Sequence, residues 1–99
     1  MLKLSKIKGY SMSPSYLEGD YVVSVTPKLV KLRKGDVIIF KHPAYGSLIK
    51  EICQKNENGY YVQGSYPKST TSQSIGLVNL NMIEGKVIMK IQSKKNYHE

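Results

Sequence analysis

Two Gly-Asp steps punctuate the first half of the chain, Gly19-Asp20 and Gly35-Asp36, and each launches a run rich in β-branched residues. The runs are YVVSV (Tyr21 to Val25) and DVIIF (Asp36 to Phe40). Glycine turns the chain cheaply, and β-branched side chains suit a pleated backbone, so this pattern commits the chain to short strands between tight turns. Two further runs, SLIKEIC (Ser47 to Cys53) and YYVQG (Tyr60 to Gly64), flank the polar loop KNENG and read as a hairpin. KVIMKIQ (Lys86 to Gln92) closes the series, after the irregular polar stretch KSTTSQS. Helix signals are sparse; Ser13-Pro14 through Leu17 allows one short turn. The expectation is one small, mainly β domain over residues 9–92, with short strands and little helix. A basic segment, 1–8, precedes it and a frayed polar tail, 93–99, follows.

Composition narrows the partners. A chain of 99 residues makes one domain with a modest core. No apolar run approaches the ~18 residues a membrane helix needs, and MLKLSKIK has no apolar signal-peptide core. No transmembrane anchor is expected, and a cytoplasmic setting with possible peripheral contact to an anionic surface fits. The single cysteine, Cys53, excludes an internal disulfide framework. The net charge of +8 favours anionic partners, but Arg33 is the only arginine among 15 basic residues. Base readers and phosphate clamps favour arginine, so nucleic acid is not the expected partner and the lysines read as a solvated coat.

Reactive groups are few. The histidines are His42, ahead of a proline, and the penultimate His98. The aspartates, Asp20 and Asp36, both sit in strand-launching turns, so a Ser-His-Asp triad lacks members and His42 reads as a loop histidine. No cluster has metal-ligand spacing and no glycine-rich phosphate loop occurs, so neither metal nor cofactor is expected. Serine with lysine remains. A lysine acts as general base only when neutral, which requires its pKa, ordinarily near 10.4, to fall by desolvation. Strand alternation puts Lys50 on one face with Leu48 and Ile52, and Ile49, Glu51 and Cys53 on the other. Lys90 alternates against an apolar face of Val87, Met89 and Ile91 and reads as solvent-facing; Lys41, at a strand end, reads as exposed.

At these residues the chain resembles the signal peptidase I family. Gly9-Tyr10-Ser11-Met12-Ser13-Pro14 followed by Leu17-Glu18-Gly19-Asp20 is similar to its S-M-x-P-x-x-x-x-G-D box. Lys34 to Phe40 resembles its second box, Leu48-Ile49-Lys50 the stretch ending in its lysine base, Gly64 to Gly76 its last box, and Ile83 to Val87 its closing strand. Self-cleaving repressor domains of the LexA type share the serine, the lysine and the fold. The resemblance implies Ser11 as nucleophile and Lys50 as general base, their Oγ and Nζ within about 2.6–3.2 Å. It implies an oxyanion hole from the Ser11 backbone N–H, with Gly9 where some members carry a second serine. Ser69 would orient the lysine, and Met12 and Pro14 would shape the cleft.

The last box departs from the family pattern at Ser65, Thr71 and Gln73, where two aspartates and an arginine are replaced. Losing the pairing partners together leaves no orphaned buried charge. Glu51 stands where a basic residue usually follows the lysine. In layout the chain resembles small propeptide-processing members such as the nickel superoxide dismutase maturation type, which implies a peptide substrate with small residues before the cut. Two other classes stay open: a catalytically silent peptide-binding domain, which predicts a protonated Lys50, and a basic nucleic-acid-binding β module.

Overall fold

The computed structural model describes residues 2–7, 19–29, 31–64 and 75–91. Six strands form one antiparallel sheet: β1 (Leu2–Lys6), β2 (Tyr21–Val25), β3 (Val37–His42), β4 (Gly46–Asn56), β5 (Gly59–Gln63) and β6 (Ile83–Ile91). Their spatial order is β1-β2-β6-β3-β4-β5. Two 3-10 turns, Pro27–Leu29 and Leu80–Met82, accompany them. The expected mainly β fold is what forms. No helix among the described residues is long and apolar enough to cross a membrane.

Every expected strand is present, and β1 is an addition. Residues 2–6, read from their lysines as a basic segment, pair with β2 from Leu2↔Val25 to Lys6↔Tyr21. The apolar-polar alternation of Leu2, Leu4 and their neighbours carried that strand signal. The KNENG loop is tighter than its composition suggests, because β4 runs through Asn56 and only Glu57 and Asn58 turn. The Asn56 side chain accepts from the N–H groups of Asn58 and Gly59, which closes the turn.

Alternation sorts the core onto two faces. Ile38, Phe40, Ile52, Val62 and Ile83 of the sheet, with Leu32, Ile75 and Val78 from the connections, form one buried cluster. Ile7, Val22, Ile39, Ile49 and Val87 form the other. The sheet is not regular: register shifts occur between Val23 and Ser24, between Ile39 and Phe40, and between Ile52 and Gln54. Such bulges bend strands and increase twist. β6 is the pivot, since Lys86 pairs with Val25 of β2 and also with Ile38 of β3.

One expectation about β6 is corrected. Val87, Met89 and Ile91 do not share a buried face: Val87 is buried, whereas Met89 is 53% and Ile91 45% exposed. The cause is the bulge. Met89 pairs with Val23 and Val87 with Ser24, adjacent residues on opposite faces, so the alternation breaks at Ile88. Lys90 and Lys41 are exposed as expected.

The connection after β5 is clamped over the first cluster. Tyr60 and Val78 exchange two backbone hydrogen bonds of 2.8 Å. At Gly59, φ +155°, a β-carbon would lie 2.5 Å from the Val78 carbonyl oxygen. Where a backbone tolerates alanine, Gly→Ala stabilises by about 0.4–1 kcal/mol. Here the contact forbids it, so Gly59→Ala should instead destabilise by on the order of 1–3 kcal/mol in urea unfolding. A gain in stability would show that the close approach is dispensable.

Candidate functional site

β4 carries the expected base. Lys50 pairs with Ile38 of β3 and so points to the face of Ile38, Phe40 and Ile52, as its alternation with Leu48 and Ile52 predicts. It has no exposed surface. Desolvation holds its amine below the ordinary lysine value of 10.5. No buried side-chain nitrogen or oxygen among the described residues lacks a hydrogen-bond partner, so the amine is buried yet satisfied. Glu51 pairs with Val37, which packs against the second cluster, and therefore lies on the face away from Lys50. Lys86, beyond Ile38 on β6, is held by Asp36 at 3.4 Å, and Asp36 also accepts from the Arg33 N–H at 2.9 Å.

The segment with the expected nucleophile is anchored where the structure describes it. Ile7 donates its N–H to the Asp20 carbonyl at 2.7 Å, and Gly19 donates to the Ile7 carbonyl at 3.0 Å. These bonds close the neck of residues 8–18, and Gly19, φ +95°, makes the turn. The Asp20 side chain, read from sequence as a turn residue, is fully buried at this neck. Ser11, Gly9, Met12, Pro14 and Ser69 lie outside the described residues, and with them the Ser11–Lys50 separation.

A cleft of about 270 Å³ opens beside these elements. Its apolar part is Ile7, Val22, Ile39, Leu48 and Ile49; Lys3, Ser5 and Lys6 of β1 and Ser47 and Glu84 are its polar lining. β1 and β4 are separated by three strands in the sheet order and still line one cleft. Ile49 immediately precedes Lys50, and Ile7 sits at the neck of the Ser11 segment. Among the described strands β1 pairs with β2 alone and lies at the edge of the sheet.

Against known families the sequence matches the signal peptidase, peptidase S26 family over residues 1–54. The chain belongs to that family. The match includes the positions of Ser11 and Lys50 and ends before Ser69. No curated protein matches.

The structure adds a residue that sequence reasoning passed over. His42 is the last residue of β3 and makes three hydrogen bonds across the hairpin turn and to Ile75. The proline after it pointed to a loop, and nothing local marked its distant partner.

The buried amine gives a stability test with a defined sign. Because the folded pKa of Lys50 lies below the unfolded 10.5, the unfolded chain binds the extra proton between those values, and this group lowers stability as pH falls through that window. Lys50→Met removes the penalty. The stability difference, variant minus wild type, should be largest at neutral pH and shrink as pH rises toward 10.5 in chemical unfolding. A difference independent of pH would mean the lysine is not desolvated.

Proposed function

We propose that this protein is a serine endopeptidase with a Ser11–Lys50 dyad, which removes an N-terminal propeptide or signal-like segment from a partner protein. The observation that carries the reading is the fully buried Lys50 with its lowered pKa, within the sequence span matched to a peptidase family. In this mechanism the neutral Lys50 amine takes the proton from the Ser11 hydroxyl as its oxygen attacks the scissile carbonyl carbon. The oxyanion is met by the backbone N–H of Ser11, with Gly9 contributing no side-chain donor. The lysine passes its proton to the departing amine, leaving an acyl-serine. Water then attacks the ester, giving its proton to Lys50, which returns it to the Ser11 oxygen as the acid product departs, so that free serine and neutral lysine are regenerated. In the family pattern Ser69 would orient the amine, and Met12 and Pro14 would shape the substrate cleft.

The substrate in this reading is an extended peptide that adds as a strand beside the Ser11 segment and places small side chains before the cut. A catalytically silent peptide binder would need the same cleft but a protonated lysine. The desolvation of Lys50 favours the peptidase.

The test is cleavage of a panel of candidate propeptides. Activity should rise with pH through the lowered Lys50 pKa and stay high in the alkaline range. Ser11→Ala and Lys50→Ala should abolish it, and Lys50→Arg should do the same, because a guanidinium stays charged. Near-normal turnover by Lys50→Arg would end the dyad mechanism.

A further inference from the structure

His42 joins two parts of the fold that are distant in sequence. Its Nδ1 accepts from the Ala44 N–H at 3.0 Å and from the Tyr45 N–H at 3.3 Å, so this nitrogen carries no proton. The ring proton therefore sits on Nε2, which donates to the Ile75 carbonyl at 2.9 Å. The Tyr45 ring packs against the imidazole at 4.9 Å. Lys41, beside it on β3, is exposed, and Tyr45 is the titratable group in contact with it.

Ile75 begins the clamped connection. It is 5% exposed and belongs, with Val78, to the cluster on the sheet face that carries Lys50. Val78 is tied to Tyr60 by backbone bonds, so the 75–78 stretch is fastened at one end by β5 and at the other by His42. Water reaching that face would be the direct way to rehydrate the amine.

We propose that His42 is a positioning residue: its Nε2–H bond to the Ile75 carbonyl keeps the 75–78 stretch seated on the face of Lys50 and so keeps that amine dry. The consequence for catalysis rests on Lys50 being the base; the structural claim does not.

Two substitutions separate the two ends of the ring. In His42→Asn the side-chain oxygen takes the place of Nδ1 and can still accept from the turn, but nothing reaches Ile75. In His42→Gln the side-chain amide takes the place of Nε2 and can still donate to Ile75, but the turn acceptor is gone. The Lys50 amine is titrated directly by NMR of its Cε methylene, with thermal unfolding of each variant alongside. The asparagine variant should show the Lys50 pKa raised by about one unit, a tenfold loss of neutral amine below the midpoint, and the pH–activity curve should move with it. The glutamine variant should titrate like wild type whatever its melting temperature. An unchanged titration in the asparagine variant, or equal shifts in both, overturns the proposal. If the asparagine variant does not fold, the glutamine variant decides alone: a wild-type titration supports the Nε2–H bond and a raised one refutes it. If the titrations behave as expected but wild type cleaves no peptide, the peptidase reading fails and the role of His42 stands.

Discussion

Burying an amine is the constraint around which this small protein is arranged. A charged lysine taken from water costs several kcal/mol, so a fully enclosed one is kept only if it becomes neutral or finds good partners. Lys50 is hydrogen-bonded, and desolvation lowers its pKa and so favours the neutral form. The enclosure comes from the regular alternation of β4, which places Lys50 between Leu48 and Ile52 and opposite Ile38. The same alternation turns Glu51 to the other face, away from the amine it would otherwise help to charge. The Lys86–Asp36 ion pair lies beyond Ile38, where both groups keep some solvent.

The irregularities of the sheet supply what alternation cannot. Register shifts interrupt the sheet at three places, two of them where β6 meets β2 and β3, and residues of β1 and the start of β4 line a common cleft. A flat sheet in the same order would hold those elements apart, with three strands between them. The shared cleft sets the neck of the Ser11 segment, at Ile7, beside the strand that carries Lys50. The 75–78 stretch, clamped by Tyr60 and His42, covers the first face, which leaves the cleft on the second face free.

Most of the strand order along the chain, and the facing of Lys50, were legible because both follow from local rules. Glycine turns and β-branched runs mark strands, and period-two alternation assigns faces. Reading failed where the local rule was interrupted. At Ile88 a bulge breaks the alternation, and residues 88–91 are all exposed. At residues 2–6 the lysines masked a strand whose pairing with β2 compensates its weak apolar content. At His42 the neighbouring proline pointed to a loop, and the partner Ile75 lies 33 residues away.

By itself the sequence determined that this chain would be a small β protein with one plausible lysine base, because turn chemistry and alternation act over a few residues. It also carried the ordered boxes by which the chain resembles its family. Only the tertiary structure decided that Lys50 is completely enclosed, that Asp20 is buried at the neck of the Ser11 segment, and that β1 and β4 share a cleft. Each of these depends on which distant strands bulge and meet. Desolvation is a property of everything packed around a group, and no stretch of neighbouring residues contains it.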